Sequence, residues 1–553
     1  MRKRKFWLGF IAIIMCAAML TSCGKTEEKK KNIPSKVTSS EDSTSSDNSS
    51  SEDSTSSDSS DTDSDYSWSD TSWADDFTYD SDDDEDDVIQ ETKIPVPEIV
   101  PKGNTANLMC SVKGGAEAEA DKKRNEILNS TSSVKVTGTS YYISSINGDD
   151  DNDGLSPETA WKTTDALTVN AWKFGPGDGV LFERGGVYRT SSSISVKSGM
   201  TYAAYGTGAK PVLYGSTENY AQPDYWTPSN KKYVWKLKLP LENAGIMVFN
   251  HGEAVGTLRT GLLTLTQNGD FYHNNVDGYL YLYLDKGRPN LVYNDIEIGT
   301  KRSIFTLSLN VKNVVIDNLC MKYVGKLCVQ AIGNNSNITI TNCEMGWVGG
   351  SLQSDTDQTR LGNAVQFWDS ASNITVTDNW VYQVYDAGLT FQGSEGAVYE
   401  NISFSDNLIE YCSYGIEFFT LKSSTESTSV MKDIYMNNNI IRMSGYGWGD
   451  QRPSSANVSA INGWGTDYNG IENFNIKNNI FDVSKYNLVY WKFTSVSASD
   501  INVSGNSFYQ RSSDSTWAFW FADAAQSTAT NQDEFEKAVK IIDSSAKVIK
   551  WLS

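Results

Sequence analysis

Histidine is nearly absent from this chain of 553 residues, since only His251 and His273 occur. This scarcity excludes a multi-histidine metal cluster and leaves little for a histidine-based catalytic triad. Cysteine is also scarce, with seven residues and no C-x-x-C pair, which predicts neither a zinc site nor a fully paired disulfide framework. Any chemistry is therefore expected to rest on carboxylates, lysine, arginine or tyrosine, with no metal site.

Lysine and arginine are missing from residues 41–91, which hold 20 acids and are rich in serine. The other 49 acids almost balance the 47 bases of the chain, so the net charge of −22 belongs to this segment. It has too little apolar surface to fold, and its self-repulsion extends it. We expect residues 23–92 to form a disordered tether. Nucleic acid is not an expected partner, because no folded segment has a strong basic excess.

Residues 1–22 have the pattern of a secretory signal, with a basic start and an apolar run too short to span a membrane. The ending Leu20-Thr21-Ser22-Cys23 resembles a bacterial lipobox. By that resemblance, Cys23 is lipidated and becomes the mature N-terminus. A plain signal peptide with an incidental cysteine is the alternative. We expect a monomer at the extracellular face of the bacterial cell membrane, held by a lipid anchor.

A short phrase recurs with varying spacing in the C-terminal half of the chain. Each copy alternates apolar and polar residues, which is typical of a strand. The copies begin at Asn313, Asn337, Asn373, Asn401, Asp433, Asn473 and Asp500. Five consecutive copies are each followed, six residues after the start, by an asparagine: Asn379, Asn407, Asn439, Asn479 and Asn506. Such repeats predict an all-β solenoid, a parallel β-helix, in which these amides stack inside one turn.

The start of the expected body carries a family resemblance. Tyr141-Tyr-Ile-Ser, Gly148-Asp-Asp-Asp-Asn-Asp-Gly and Gly175-Pro-Gly-Asp-Gly-Val-Leu-Phe-Glu resemble the first coil of secreted, pectate-lyase-like, right-handed β-helix proteins. The resemblance covers residues 140–215 and 300–525. It implies a right-handed parallel β-helix with an N-terminal capping helix at residues 163–173. The reaction stays open, since that superfamily includes lyases, hydrolases, epimerases and phage tailspikes.

The remaining domain boundaries follow from changes in pattern. Residues 93–139 are a lead-in with a short helix, 140–213 form the first coils, and 300–525 form the other coils. Aromatic alternation in Tyr279-Leu-Tyr-Leu-Tyr-Leu predicts a small antiparallel β insertion at 214–299. Near-helical apolar spacing predicts that residues 526–553 form a C-terminal helix. Asp149-x-Asp151-x-Asp153 resembles the start of a calcium loop, but Ala160 stands where a bidentate glutamate is needed. We expect an Asx-rich turn, with calcium as the alternative and no other cofactor.

A second strand recurs after each repeat, and its outward positions form two columns. The first column is Gln330, Gln366, Thr390, Glu417 and Tyr490, and the second is Trp368, Gln392, Phe419 and Lys492. Amides, a carboxylate and aromatics about 4.8 Å apart suit a sugar chain, whose ring faces stack while its hydroxyls form hydrogen bonds. An ordinary solvated sheet face is the alternative. The columns predict a polysaccharide as the partner, bound in one groove.

Glycosidic hydrolysis needs two carboxyl groups on either side of the bond that breaks. The candidates are Glu417, Asp386 and Asp369 in successive coils. Glu417 is the first choice, because it is the carboxylate within the aromatic columns. Asp386 lies four positions from that column, about 13 Å along an ideal strand. With Asp369 and Arg360, it is expected at the rim of the groove.

Two other classes of function stay open. Lyases of the resembled superfamily use lysine or arginine to remove the proton next to a uronate carboxyl, often with calcium, and Lys492, Arg360 and Arg452 are available for this. A non-catalytic glycan-binding or adhesion protein could use the same scaffold, since a fold does not settle a function. We favour a glycoside hydrolase over a polysaccharide lyase.

Overall fold

The computed structural model describes residues 113–553 except 240–241, 354–358, 361, 422–427, 453–457, 464–469, 492–500, 512–516 and 522–526. The predicted signal peptide, the tether with Cys23, and Lys492 lie outside the described residues. Within the described part of the chain, no helix is long and apolar enough to cross a membrane.

The body is a parallel β-helix in which each coil contributes strands to three parallel sheets, with bends between them. The strands of the first sheet are Ser140–Ile143, Gly179–Glu183, Thr201–Tyr205, Lys312–Asp317, Asn335–Thr341, Ala371–Thr377, Val398–Ser405, Val430–Asn437, Ile471–Lys477 and Ile501–Ser504. These strands include the repeats that the sequence predicts, and each pairs in parallel with the copy in the next coil. The predicted fold class is therefore confirmed.

The second and third sheets meet at a bend that two long strands, Trp380–Gly393 and Leu408–Thr420, cross without a break. The other strands of the second sheet are Val187–Arg189, Val212–Tyr214, Cys320–Val324, Glu344–Val348, Ile440–Ser444, Ile480–Ser484, Ser507–Gln510 and Val548–Trp551. Those of the third sheet are Ile194–Ser195, Phe305–Leu307, Val329–Ile332, Val365–Trp368, Ser459–Gly463, Asn487–Trp491 and Trp517–Phe521, with Ser527–Thr528 antiparallel to the last. The bend brings residues of different coils together along one edge.

The predicted asparagine stack lies inside the turn between the first and second sheets. All five asparagines are buried. Asn379 Oδ1 accepts a hydrogen bond from Cys343 N at 2.9 Å. Each later Oδ1 accepts from the backbone N–H of the preceding asparagine, at 3.0 Å from Asn379 to Asn407 and 3.0 Å from Asn407 to Asn439. The stack continues through Asn479 to Asn506. The side-chain amides thus satisfy backbone donors that the turn would otherwise leave unpaired inside the protein.

An N-terminal helix, Glu117–Asn129, packs on the outer face of the second sheet. Its Arg124 donates to both carboxylate oxygens of Glu410 at 2.8 and 2.9 Å. Arg442 lies between Glu410 and Asp482 at 3.1 and 2.9 Å, and all four side chains are buried. These buried charges pair with one another, so none of the four is left without an opposite charge. The folded body therefore includes this helix and does not begin at Ser140.

Both ends of the solenoid are covered. At the N-terminal end the predicted cap consists of Asp165–Val169 and a 3₁₀ turn, Ala171–Lys173, with Leu167 buried against the core. At the other end Gln532–Ile542 is helical and buries Phe535 and Val539. The prediction of a helix throughout 526–553 is wrong beyond Ile542, because Val548–Trp551 forms a strand that pairs with Ser507–Gln510. This strand adds one more coil at the end of the second sheet.

The insertion is antiparallel for the most part, as predicted. Its five-stranded sheet contains Thr227–Pro228, Val234–Lys238, Thr257–Leu258, Asp270–Asn274 and Tyr279–Tyr283, and its three-stranded sheet contains Ala244–Phe249, Ala254–Val255 and Ile296–Thr300. Short helical turns lie at Asn250–Gly252, Leu262–Thr264 and Pro289–Val292. Gln451, at the end of the 3₁₀ turn Gly447–Gln451, joins the insertion to the β-helix, since its side chain bonds Leu258 N at 2.9 Å and Gly256 O at 3.1 Å. The insertion therefore borders the bend between the second and third sheets.

Candidate active site at the bend between the second and third sheets

A row of polar side chains crosses the outer face of the third sheet. Strand pairing aligns Gln330, Gln366, Thr390, Glu417, Asn462 and Tyr490 in that order. The predicted first column is thus the register of the structure. Sequence reasoning missed Asn462, although the alternation in Ser459-Ala-Ile-Asn, with Ile461 buried, carried the signal that could have found it.

The second column runs beside this row. Trp368 pairs with Gln392, and Gln392 pairs with Phe419. The rings of Trp368 and Phe419 lie 6.5 Å apart at 78°, an edge-to-face contact. Lys492, predicted for this column, lies outside the described residues. The structure therefore brings together the amide and the aromatic residues of this column that it describes.

The row is more buried than the open groove that the sequence predicts. Thr390 is 0% exposed, Glu417 is 4% exposed and Gln366 is 9% exposed, while Trp368 and Tyr490 are half-buried. These side chains are buried because neighbouring side chains pack over them. Gln366 Oε1 accepts from Asn363 Nδ2 at 2.7 Å and from Gln392 Nε2 at 3.0 Å. The polar row thus forms a packed floor with aromatic side chains beside it.

Glu417 lies between two residues that present unpaired polar atoms. Its Oε1 accepts a hydrogen bond from Asn462 Nδ2 at 2.9 Å. Within the part of the chain that the structure describes, Thr390 Oγ1 and Asn462 Oδ1 are buried and have no hydrogen-bond partner. Buried polar atoms are ordinarily paired, because an unmade hydrogen bond costs about 1–3 kcal/mol. Two such atoms on either side of a carboxylate mark a place where a polar ligand could bind.

Asp386 lies at a β-bulge where the strand Trp380–Gly393 crosses from the second sheet to the third. Its Oδ1 is 3.1 Å from Arg452 Nε. Arg452 also donates from Nη1 to Tyr414 Oη at 2.7 Å and lies over the Tyr414 ring. Burial raises the pKa of Asp386, and Arg452 offsets only part of that effect. Asp386 is therefore a buried carboxyl whose pKa lies above its usual range.

The pKa of Arg452 is affected by both Asp386 and Glu417. Burial by itself would lower the pKa of Arg452, but Asp386, Tyr414 and Glu417 outweigh it and the pKa is raised. Both carboxylates thus act on one guanidinium, although their positions along the strand are about 13 Å apart in an ideal sheet. Arg452 is therefore paired with Asp386 and lies within electrostatic range of Glu417 in the next coil.

Asp369 lies at the other end of the third-sheet strands. Its Oδ1 accepts a hydrogen bond from Ser394 N at 2.6 Å, in the turn that leads to the first sheet. Asp386 lies at the bulge inside Trp380–Gly393, whereas Asp369 follows Trp368, the partner of Gln392, so the two aspartates are separated by about 20 Å along the strand. We therefore assign Asp369 to the turn and leave it out of the candidate site.

Arg360 lies at the edge of the insertion, on the same side as Asp386. Its Nη1 donates to Gly350 O at 2.5 Å and approaches Asn243 Oδ1 at 3.4 Å. Burial lowers the pKa of Arg360, and Tyr385 and Tyr272 act against it. Tyr385 precedes Asp386 and packs on buried Trp448 at 5.4 Å. Arg360 therefore lies within electrostatic range of Tyr385, the neighbour of Asp386, and its place at the rim of the groove stays a prediction.

The loop at residues 149–154 uses its carboxylates to stabilise its own turn. Asp149 Oδ1 accepts from Asp151 N at 3.1 Å, and Asp153 Oδ1 accepts from Leu155 N at 2.9 Å. These are Asx turns. Among the described residues, no group of three or more His, Cys, Asp or Glu residues could hold a metal ion. Calcium binding stays an untested alternative, and no step below depends on it.

Comparison with known proteins gives similarities of limited extent. No family model matches the chain. Over 91 residues, 15% of this chain, the sequence is 34% identical to a lacto-N-biosidase of Bifidobacterium longum, and the match spans 6% of that protein. A solved glycoside hydrolase matches 75% of this chain and 96% of its own, with 9% identity and a TM-score of 0.41. A lacto-N-biosidase of Eubacterium ramulus matches 74% of this chain and 68% of its own, with 14% identity and a TM-score of 0.36. These similarities assign no activity to this chain.

Proposed function

We propose that this protein is a carbohydrate-active enzyme, a glycoside hydrolase that cleaves a polysaccharide at the bend between the second and third sheets. The observation that carries the proposal is the arrangement of Asp386 and Glu417 on one cation, Arg452. Glycosidases need one carboxyl group that holds a proton and one that is ionised. The similarity to a lacto-N-biosidase over 91 residues is compatible with this choice.

Asp386 is the general acid in this proposal. Burial favours its protonated form, so it can donate a proton to the glycosidic oxygen as the bond to the anomeric carbon breaks. Glu417 is the second carboxylate, and its Oε1 is held by Asn462. In an inverting reaction Glu417 takes a proton from the attacking water. In a retaining reaction it attacks the anomeric carbon and is later released by water.

Substrate binding is assigned to the side chains around Glu417. Thr390 Oγ1 can donate to or accept from a sugar hydroxyl, and Asn462 Oδ1 can accept from one. Trp368, Gln392 and Phe419 lie in the adjoining column, where a sugar ring can stack on the half-buried indole. Tyr490 continues the row beyond Asn462. These contacts would fix one sugar unit across the two carboxylates.

A second candidate is a polysaccharide lyase, and Arg360 is the observation that favours it. Among the described residues, no carboxylate lies within ion-pair distance of this guanidinium. Elimination from a uronate needs a cation that neutralises the substrate carboxyl, and Arg360 could supply it. Hydrolysis is favoured because Arg452, the guanidinium on which Glu417 acts, is already paired with Asp386. Non-catalytic glycan binding is the remaining outcome.

We also propose that the protein works at the outer face of the cell membrane, as a monomer anchored through Cys23. The tether of residues 23–92 would let the β-helix reach polysaccharide some distance from that membrane. The basis is the lipobox-like ending and the acidic, serine-rich composition.

Incubation of the full chain with a polysaccharide panel tests the reaction class. New reducing ends without unsaturated sugar are expected for the proposed hydrolase. Ultraviolet absorbance from an unsaturated uronide would favour the lyase and overturn hydrolysis. Binding to a polymer without products would overturn both enzymatic candidates. Proton NMR of the first product anomer would then separate inversion from retention.

A further inference from the structure

The outer face of the five-stranded sheet in the insertion carries two short rows of tyrosine, lysine and asparagine. Strand register aligns Lys236 with Tyr281 and Tyr272 in one row, and Lys238 with Tyr279 and Asn274 in the other. All six residues are half-buried or exposed. The alternate positions of the same strands hold buried side chains, which are Leu237, Phe271, His273, Leu280 and Leu282. The sheet thus has one apolar face on the protein and one face of aromatic and polar groups. We call this second face the tyrosine platform.

The side chains of the tyrosine platform are held by contacts among themselves. The ammonium groups of Lys236 and Lys238 lie 5.0 and 4.4 Å from the centroid of the Tyr279 ring. Tyr281 Oη donates to Asp277 Oδ2 at 2.8 Å, and Asn274 Nδ2 donates to the same oxygen at 2.9 Å. Side chains that are already ordered lose less conformational entropy when a ligand binds.

The strand that contributes lysines to the platform has a local excess of positive charge, although the chain as a whole is acidic. Lys231, Lys232, Lys236 and Lys238 lie within eight consecutive residues, whereas Asp277 is the carboxylate that contacts the platform tyrosines. Tyrosine rings offer apolar faces for sugar rings, and ammonium groups offer donors and positive charge. This combination fits a sugar chain that carries carboxylate or sulfate groups better than an uncharged one.

The platform continues toward the candidate active site through Tyr272 and Arg360. Arg360 Nη1 approaches Asn243 Oδ1 at 3.4 Å, and Asn243 Nδ2 donates to Oδ1 of Asn275, the residue after Asn274, at 3.3 Å. Burial and Asp277 raise the pKa of Tyr272, and Arg360 acts in the opposite direction. Arg360 also lies near Tyr385, the neighbour of Asp386. Among the described residues, no carboxylate is within ion-pair distance of Arg360. A partly buried cation without a carboxylate partner favours an anionic ligand.

A pocket of about 380 Å³ lies beside Lys238 of the platform. Its lining includes Lys238, Glu218, Tyr220, Glu242 and Arg302. Glu242 and Arg302 pair with each other at 2.6 Å. The platform therefore adjoins a polar pocket at Lys238.

We propose that the tyrosine platform, together with Arg360, binds an anionic polysaccharide and guides it toward Asp386 and Glu417. The occupant is a glycan chain that bears carboxylate or sulfate groups, with its sugar rings on Tyr281 and Tyr272 and its anionic groups on Lys236, Lys238 and Arg360. The part of this proposal that has the polysaccharide guided toward Asp386 and Glu417 rests on the proposed carbohydrate activity. The binding itself does not require turnover.

Affinity gel electrophoresis of the full chain tests the platform, with polygalacturonate, alginate, carrageenan or neutral xylan cast in the gel. Retardation by at least one anionic polymer and not by xylan is expected, and it should weaken with added NaCl. The double variant Lys236→Gln/Lys238→Gln should lower the affinity at least about fivefold. The double variant Lys122→Gln/Lys135→Gln, an equal charge change at two exposed positions outside the insertion, should leave it unchanged. Retardation by polygalacturonate or alginate would indicate recognition of carboxylate groups, and retardation by carrageenan would indicate recognition of sulfate groups.

Ring stacking is tested separately from charge. Tyr281→Ala should weaken retardation by the same polymer, Tyr281→Phe should keep most of it, and Tyr233→Ala, outside the two rows, should have no effect. A normal melting temperature for each variant excludes loss of fold. Absence of retardation by every anionic polymer, equal retardation by xylan, or unchanged affinity in the lysine double variant overturns the proposal.

Hydrolysis is measured in parallel, so that the two proposals fail independently. A protein that forms no products but loses anionic polymer binding with Lys236→Gln/Lys238→Gln supports the platform and contradicts the proposed enzyme. A protein that forms products but binds polymer equally well in that variant contradicts the platform alone.

Discussion

Arg452 Nε lies 3.1 Å from Asp386 Oδ1, and the charge of Glu417 in the next coil also raises the pKa of this guanidinium. The two carboxyl groups therefore share one cation but differ in environment. Burial favours the protonated form of Asp386, whereas Glu417 accepts a hydrogen bond from Asn462. Different environments for two neighbouring carboxyl groups are what acid–base catalysis needs, because one group must hold a proton while the other is ionised.

Replacement of Glu417 by Gln should abolish most of the activity without loss of fold. The amide cannot take a proton or attack carbon, but its oxygen can still accept from Asn462 Nδ2. We expect a fall in kcat of at least about 10²-fold, measured by the release of reducing ends. Glu400→Gln, at an exposed position of the first sheet, is the matched control. Full activity in Glu417→Gln would refute the assignment.

Replacement of Trp368 by Ala should affect binding more than chemistry. The half-buried indole lies in the column beside Glu417 and contacts Phe419, but it carries no acid or base. We expect KM to rise about three- to tenfold with kcat little changed. Trp172→Ala removes an indole that is 79% exposed in the first coils and should leave KM unchanged. An equal loss in both variants would contradict a specific role for Trp368.

Replacement of Arg452 by Gln should shift the pH dependence. A general acid must be protonated, so activity falls as pH rises through the pKa of Asp386. Burial raises that pKa and Arg452 lowers it, so loss of the cation should raise it further. We expect the basic limb of the kcat/KM profile to move to higher pH in Arg452→Gln and to move less in Arg452→Lys. A limb that moves to lower pH would show that Asp386 is not the acid.

Replacement of Asn439 by Leu should destabilise the β-helix. Asn439 Oδ1 accepts from Asn407 N at 3.0 Å, and its Nδ2 donates to Phe404 O at 2.8 Å. Leucine would leave these buried groups unpaired, so unfolding should become easier by about 1–3 kcal/mol. Denaturant titration measures this. Asn502→Leu, at an exposed position of the first sheet, should change stability by less than about 0.5 kcal/mol. Equal effects would show that the stack contributes nothing.

Replacement of Cys23 by Ala tests the proposed anchor. If Cys23 carries the lipid, the variant should appear in the medium or keep its signal peptide. Fractionation of cells and culture medium, with mass measurement of the N-terminal peptide, distinguishes these outcomes. Cys16→Ala, within the predicted signal, should leave localisation unchanged. Unaltered membrane retention of Cys23→Ala would rule out lipidation as the anchor.

The sequence by itself determined the architecture and the register of the β-helix. Strand alternation is a local property, and the repeated asparagines occupy equivalent places in every coil because each coil has the same shape. Hence Asn379 and Asn439 are stacked, and Gln366, Thr390 and Glu417 are aligned, as the pattern predicts. The same logic failed at residues 548–551, where a short strand follows a helix and no repeat signals it.

Only the tertiary structure decided which residues meet across the bend. Asp386 and Arg452 belong to different coils, and their contact depends on a β-bulge and a 3₁₀ turn that no periodicity announces. Asp369 is near Asp386 in sequence, yet it lies at the far end of the strand, because a strand separates its ends by about 3.3 Å per residue. The nearness of Tyr272 to Arg360 likewise depends on how the insertion packs on the solenoid. Periodicity reports the repeated part of the fold, whereas contacts between loops, bends and insertions depend on packing that has no repeat.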